Sequence, residues 1–203
     1  IGGGALDANT TASSNVAVGY ASLTTNTTGE ANTALGSYAL DANSTGNYNV
    51  ALGNNALGAN TTASSNTAIG QASLFYTSTG AENVGVGRDS LHFNTTGASN
   101  VAVGNNALKA NTTASNNTAL GKDALTANTT GTRNTAVGTE SMDTNTTVSY
   151  NTAIGFQALE ISNESANVAI GYQAMDNSTG ADSCVANGAE ALRNATGDDN
   201  TAI

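Results

Sequence analysis

Proline and tryptophan are absent from this chain of 203 residues, and it contains only one cysteine and one histidine. The single cysteine, Cys184, cannot form an intrachain disulfide, which excludes the disulfide-stabilised small domains. Five residues are basic against 15 acidic ones, for a net charge of −10. Because phosphate binding needs clustered lysine and arginine, we expect no nucleic-acid partner. No apolar run reaches the roughly 18 residues of a transmembrane helix, so we expect no membrane insertion in this segment.

Bulky and charged side chains are also scarce. Aromatic residues make up 4% of the chain and charged residues 10%, whereas glycine, alanine, asparagine and threonine dominate. Such a chain lacks the large side chains that fill a globular core, yet its 38% of hydrophobic residues and its low charge density distinguish it from disordered segments. The composition therefore favours a narrow interior built by regular stacking.

What the chain does contain is an internal repeat. The unit N-x-A-[VIL]-G recurs every 17 residues and places glycine at 2, 19, 36, 53, 70, 87, 104, 121, 138, 155, 171 and 188, with one interval of 16 between these glycines and a second single-residue deletion near residue 193. Ile1 and Ile203 occupy the same repeat position, so the segment is expected to begin and end inside a repeat, without caps of its own. We therefore expect a single repeat domain over residues 1–203.

Further columns of the repeat predict the fold. Three residues after each glycine stands alanine or serine, followed by leucine as in Leu23 and Leu40. Glycine, asparagine and threonine at fixed places disfavour a helix, whereas N-[TV]-A-[VIL] is typical of a short strand and N-T-T-[GA] of a turn. The sequence predicts an all-β fold, a parallel β-solenoid (β-roll) of about twelve 17-residue coils. At a strand spacing of about 4.8 Å, such a rod is roughly 57 Å long.

The asparagine that opens each repeat is predicted to be structural. Its amide can bond both the turn backbone and the asparagine of the next coil, which produces a ladder along the solenoid. Cys184 replaces asparagine in this column, and we expect a substituted ladder position there rather than a reactive thiol. The predicted ladder consists of Asn15, Asn32, Asn49, Asn66, Asn83, Asn100, Asn117, Asn134, Asn151 and Asn167.

A second row of asparagines lies in N-x-[ST] sequons and is interrupted at Thr77. In a glycosylating secretory pathway these asparagines are candidate acceptors of sugar. A turn ladder of asparagine and threonine produces the same row, and sugars only about 4.8 Å apart would crowd one another. Both interpretations stay open for Asn9, Asn26, Asn43, Asn60, Asn94, Asn111, Asn128, Asn145, Asn163, Asn177 and Asn194.

Alternation along the strand predicts a partner. Neighbouring side chains of a strand point to opposite faces, so Ala17 and Val18 cannot both line one interior. With the alanines inside, the column of Val18 and the mixed threonine and valine column of Val16 and Thr33 form an outward apolar stripe. Such a stripe implies burial against another chain, most simply in a homotrimer. The alternative is a turn that reverses the facing within the coil.

Catalytic, cofactor and metal sites are not expected. His92 is the only histidine, and no Ser-His-Asp combination can be assembled around it. The carboxylates are not expected to recur in a column, as calcium-binding solenoids require. The coils also carry no insertions that could form the cleft of a polysaccharide-cleaving solenoid enzyme. We therefore expect no enzyme.

The repeat resembles known families. N-V-A-V-G at 15–19, N-T-A-I-G at 66–70 and 151–155, and N-V-A-I-G at 167–171 resemble the head repeats of trimeric autotransporter adhesins. NTAIGFQAL at 151–159 and NTTG at 128–131 are similar to the repeat arrays of bacterial and phage tail-fibre-domain proteins. The resemblance implies a left-handed β-roll that trimerises and contacts a host or matrix surface. It also implies an extracellular location, on a cell surface or a virion fibre.

Two functional hypotheses follow from the repeat. The first is a structural and adhesive fibre segment whose partners are further copies of itself, glycans, or a host or matrix surface. The second is an ice-binding solenoid, motivated by the threonine column that begins Thr11, Thr28 and Thr45. Adjacent threonines next to glycine or alanine suggest a turn, whereas flat T-x-T strands would favour ice binding more directly.

Overall fold

The computed structural model describes residues 2–203, which form 14 β-strands and no helix. Twelve strands make one parallel sheet in which each strand pairs with the equivalent strand of the next coil. The predicted parallel β-solenoid is therefore confirmed. Eleven coils separate the first and last of these 12 strands, close to the twelve expected.

The strands are short because each coil spends most of its 17 residues in turns. The main sheet contains β1 (Val16–Val18), β2 (Thr33–Leu35), β3 (Val50–Leu52), β4 (Thr67–Ile69), β5 (Val84–Val86), β6 (Val101–Val103), β7 (Thr118–Leu120), β8 (Thr135–Val137), β9 (Thr152–Ile154), β11 (Val168–Ile170), β13 (Val185–Asn187) and β14 (Thr201–Ala202). A second sheet contains only β10 (Ile161–Ser162) and β12 (Asn177–Ser178).

The strand register places equivalent residues of successive coils next to one another. Ala17 pairs with Ala34, and Val18 pairs with Leu35, 17 residues further on. The central alanine of β1 and β2 is buried while its two neighbours are exposed. Because this alternation puts alanine inside and the aliphatic column outside, the predicted facing of the strand is confirmed, and a turn that reverses it is not present among residues 2–203.

The interior is filled by the strand alanines and by the leucine column. Leu23, Leu40 and Leu57 are fully buried and have φ of 50°, 51° and 52°. A positive φ is uncommon for a residue other than glycine and costs about 1–2 kcal/mol. Here the positive φ points each leucine side chain into the interior of the coil. Burial of that side chain stabilises the fold by about 1.5–3 kcal/mol.

The glycine that ends each strand is required by the spacing of the coils. Gly53 has φ 140°, and a methyl group on it would lie 2.6 Å from the carbonyl oxygen of Gly70. Any side chain at this position would push two coils apart. The glycine column is therefore a consequence of direct stacking.

The shortened repeat interval results from a shorter turn. The backbone N–H of Ser162 donates to Asn145 Oδ1, 17 residues earlier, whereas the N–H of Ser149 donates to Ser165 Oγ, only 16 residues later. The missing residue therefore lies between Ser162 and Ser165.

Among residues 2–203 there is no helix with the length and hydropathy needed to cross a membrane.

Candidate interaction surfaces

The first asparagine column is buried and fully occupied by hydrogen bonds. The backbone N–H of Asn49 donates to Asn32 Oδ1 at 2.9 Å, and Asn49 Nδ2 donates to the carbonyl of Ala63 at 2.9 Å. The same pair of bonds recurs at Asn100. The side chain thus holds the turn of its own coil and the backbone of the next one, which confirms the predicted asparagine ladder.

Cys184 continues this ladder with a thiol. Its N–H donates to Asn167 Oδ1 at 2.9 Å, and its Sγ donates to the carbonyl of Gly197 at 3.3 Å. The N–H of Asn200 in turn donates to Sγ at 3.3 Å. The buried thiol therefore occupies the place of an asparagine amide, as the sequence predicts.

The second asparagine row forms an inner ladder made of side-chain amides. Asn43 Nδ2 donates to Asn26 Oδ1 at 2.8 Å, and Asn60 Nδ2 donates to Asn43 Oδ1 at 2.7 Å. Thr77 interrupts the row, and within residues 2–203 neither Thr77 Oγ1 nor Asn60 Oδ1 has a hydrogen-bond partner although both atoms are buried. The members of this row that are fully or almost fully buried are Asn26, Asn43, Asn60, Asn94, Asn111, Asn128 and Asn145.

The assignment of Asn163, Asn177 and Asn194 to this row is wrong. Ser162 follows Asn145 in the row, and Ser178 pairs with Ser162. The ladder position lies three residues after the buried leucine or methionine of each coil, whereas Asn163 lies four residues after Leu159 and Asn177 and Asn194 lie two residues after Met175 and Leu192. All three asparagines are exposed, whereas Asn9 in the first turn is half-buried. Glycosylation of the exposed three stays a prediction, which glycopeptide mapping after secretory expression tests.

The outward side chains of the main sheet form an apolar stripe along the rod. Leu35, Leu52 and Leu120 expose between 40% and 47% of their surface. No charged residue stands in either column of the stripe between Val16 and Thr201, and the column of Val18 is aliphatic until Asn187. The strands that carry the stripe are paired in register over the whole main sheet, so equivalent side chains follow one another along the rod.

Two threonine columns run along another side of the rod, and only one of them has free hydroxyls. Thr95 Oγ1 donates to the carbonyl of Thr112 at 3.0 Å, and other members of that column repeat the bond. Within residues 2–203, no hydrogen bond engages the hydroxyls of the next column, whose nine threonines are all exposed. They are Thr11, Thr28, Thr45, Thr62, Thr79, Thr96, Thr113, Thr130 and Thr147.

An aromatic cluster interrupts the small side chains near the middle of the rod. Phe75 stacks on His92 with ring centroids 5.5 Å apart, and Tyr76 stacks on Phe93 at 5.6 Å. Within each coil the two rings meet edge to face, at 4.7 Å for Phe75 and Tyr76. Sequence reasoning missed this cluster, although the aromatic residues occupy the same two repeat positions in adjacent repeats and that pattern could have revealed it.

Three carboxylates do recur in one column, contrary to expectation. Asp143, Glu160 and Asp176 lie on successive coils, and Arg193 Nε approaches Asp176 Oδ2 to 3.1 Å at the end of the column. Burial, together with a hydrogen bond to Asp176 and the charge of Asp143, raises the pKa of Glu160 to about 7. Burial and the charge of Glu140 raise the pKa of Asp143 to about 6. The repeat therefore places like charges together, although no group of three histidine, cysteine or acidic residues within 2–203 is arranged to hold a metal ion.

No pocket is present among residues 2–203. The fold and these columns place the chain among the parallel β-solenoid repeat proteins with asparagine ladders. No protein-family model, curated protein or solved structure matches the chain. The candidate functions below therefore rest on its surfaces alone.

Proposed function

We propose that the chain is a structural and adhesive segment of an extracellular fibre, whose copies associate through the apolar stripe. The observation that carries this proposal is the outward row of aliphatic and threonine side chains on the main sheet, which runs from Val16 to Val185 with no charged residue. A soluble monomer rarely exposes a continuous apolar patch of this length. The slender, uniform rod suits a fibre that spaces binding surfaces away from its attachment point.

The size of the stripe supports association of copies. At about 4.8 Å per strand, the main sheet is about 50 Å long, and two outward columns with their side chains are about 10 Å wide. The resulting face of about 500 Å² approaches the roughly 800 Å² that each partner buries in a standard interface. Absence of charge from the stripe is also typical of the centre of an interface. A trimer is the arrangement that the resemblance to the head repeats of trimeric autotransporter adhesins implies.

Sedimentation equilibrium at micromolar concentration tests the association. The wild-type chain should sediment as an oligomer, and the double variant Leu52→Lys and Leu120→Lys should sediment as a monomer, because buried ammonium groups oppose the contact. Both leucines point outward, so circular dichroism should show an unchanged fold. A matched control, Thr62→Lys with Thr113→Lys on the threonine side, should leave the oligomer intact. A monomeric wild-type chain would contradict the proposed association.

Ice binding is a second candidate, favoured by the exposed column of nine threonines with free hydroxyls. Successive hydroxyls repeat at the strand spacing of about 4.8 Å, which offers water a regular one-dimensional array. The adjacent threonine column is occupied by backbone bonds, so the array is one row wide. Thermal hysteresis of the wild-type chain, abolished by Thr62→Tyr and retained in Leu52→Tyr, would support this candidate. Absence of hysteresis in the wild-type chain would remove it.

A further inference from the structure

We propose that the exposed aromatic cluster of Phe75, Tyr76, His92 and Phe93 binds the pyranose rings of a neutral glycan. The inference rests on the adhesive function proposed above and gives it a defined place on the rod. Tyr76 and Phe93 expose 45% and 44% of their surface. The cluster is therefore open to a ligand, in contrast to the leucines inside the same coils.

The orientation of the rings leaves two flat faces for a ligand. Tyr76 and Phe93 are nearly parallel, at 11°, and belong to successive coils, so their stack runs along the rod. The same repeat position holds Ala59 in the preceding coil and Ala110 in the following one. Because an alanine methyl group covers little of a ring, the outer face of each aromatic residue remains available. A pyranose ring about as thick as one coil, about 4.8 Å, can extend the stack by one step at either end.

Groups that could bind sugar hydroxyls lie beside the rings. Lys109 Nζ lies 3.5 Å from Asp89 Oδ2, and Asp89 Oδ1 lies 3.5 Å from His92 Nδ1. The backbone N–H of Phe93 donates to the carbonyl of Lys109, which fixes the lysine next to the ring. Ligand sites commonly combine an apolar lining with a few convergent polar groups of this kind. A sugar has a matching surface, with C–H groups on its ring faces and hydroxyls at its edge.

Other classes of ligand fit this surface less well. Nucleic-acid bases also stack on aromatic side chains, but the net charge of −10 repels a phosphate backbone. The same charge opposes an anionic lipid surface. An apolar peptide would bury its side chains in a pocket, and no pocket is present among residues 2–203. A neutral glycan needs neither basic charge nor a pocket.

Departures from the repeat accompany the cluster. Gly58 lies under Phe75, where a methyl group would come within 2.7 Å of the Phe75 ring. Thr77 follows Tyr76 directly and breaks the inner asparagine ladder, which leaves buried polar atoms without partners. Local departures from an otherwise consistent pattern concentrate at functional sites. The coils at and next to the rings therefore depart from the repeat pattern at Gly58 and Thr77.

Isothermal titration calorimetry with cellohexaose, mannohexaose and N-acetylchitohexaose tests the proposal. The wild-type rod should bind at least one of these probes, and Tyr76→Ala with Phe93→Ala should weaken that binding at least tenfold. Both substitutions introduce the alanine that adjacent coils carry at this position, so the variant should fold normally. The control, Tyr20→Ala with Tyr38→Ala, removes another exposed pair whose rings meet at 80° and should keep the affinity.

Three outcomes would overturn the proposal: no binding of any of the three glycans, unchanged affinity in the Tyr76 and Phe93 variant, or an equal loss in the Tyr20 and Tyr38 control. Sedimentation of the same samples separates this result from the association of copies. A Tyr76 and Phe93 variant that stays oligomeric but loses glycan binding assigns the two properties to different surfaces. A monomeric wild-type chain that still binds glycan contradicts association only.

Discussion

At the scale of single residues, the asparagine side chain supplies a hydrogen-bond donor and acceptor like those of the backbone. Asn49 accepts from the N–H of Asn66 and donates to the carbonyl of Ala63, so one side chain supplies both a donor and an acceptor to the turn. Asparagine provides these groups at a length that reaches the next coil. Threonine at position 77 has a hydroxyl too short to do the same, which explains its unpaired Oγ1.

The substitution Thr77→Asn should therefore stabilise the rod. A new amide can donate to Asn60 Oδ1 and remove one buried acceptor without a partner, a gain of about 1–2 kcal/mol in the free energy of unfolding. For a chain of this size each kcal/mol raises Tm by about 2–4 °C. Thermal unfolding measures the change, and Thr77→Val, which removes the hydroxyl without completing the ladder, is the control. An equal or larger gain from valine would show that the ladder bond contributes nothing.

At the scale of the coil, stacking constrains backbone and charge alike. Glycine after each strand and leucine at positive φ allow a 17-residue coil to close and to stack on its neighbour at the strand spacing of a β-sheet. The same register superposes Asp143, Glu160 and Asp176, whose charges repel one another. Stacking of equivalent positions therefore stabilises the fold where the side chains of successive coils bond one another, as asparagines do. It destabilises the fold where they carry like charges.

Gly53→Ala should destabilise the rod by more than about 3 kcal/mol, because it combines an unfavourable φ with a clash against the carbonyl of Gly70. Urea unfolding followed by circular dichroism measures the loss. Gly3→Ala is the control, since the nearest atom to its added methyl group lies at 3.6 Å in the Tyr20 side chain. Similar stability of the two variants would mean that the coils are less closely stacked than described.

The carboxylate column predicts lower stability at higher pH. The folded pKa values of about 7 for Glu160 and about 6 for Asp143 lie above those of about 4 in an unfolded chain. Below about pH 4 both states are protonated, whereas between about pH 4 and 7 the unfolded chain releases its protons first and the free energy of unfolding falls. The loss is complete above about pH 7.

Glu160→Gln should remove much of this pH dependence. Its Tm should exceed that of the wild-type chain by a few degrees at pH 8 and equal it at pH 4, because a neutral amide replaces the charged group only where that group is ionised. Thermal unfolding across this range measures the difference. Glu30→Gln, which lies between Ser13 and Asn47 on other coils, should leave the pH dependence as it is. A wild-type Tm that rises from pH 4 to pH 8 would contradict the prediction.

At the scale of the whole molecule, stability and function both depend on repetition. Each coil contacts only its neighbours, so the interior, the ladders and the stripe extend by equal steps along the rod. The proposed association joins chains that each carry a net charge of −10. Repulsion between copies must therefore oppose the apolar attraction at low salt.

Association should strengthen with salt. Raising sodium chloride from about 20 mM to 500 mM shortens the screening length from roughly 20 Å to about 4 Å, which removes most of the repulsion between copies but little of the apolar attraction. Analytical ultracentrifugation at both salt concentrations should show a lower dissociation constant at 500 mM. An interface held by ion pairs would give the opposite dependence.

The sequence alone determined the coil length and the parallel stacking, because a 17-residue period of strand-like and turn-like segments permits few other arrangements. The structure then decided between the two possible facings, with Ala17 inside and Val18 outside. The sequence also identified the ladder of Asn15 and its equivalents, because an asparagine amide at a turn can bond both the turn backbone and the next coil.

Only the tertiary structure placed the missing residue between Ser162 and Ser165, where Ser162 rather than Asn163 continues the inner asparagine row. Sequence spacing cannot locate a one-residue deletion within a turn, because several alignments conserve the flanking repeats equally well. The repeat positions of the aromatic residues could have revealed their cluster, but the parallel and edge-to-face orientations of the rings came only from the structure, because they depend on side-chain rotamers.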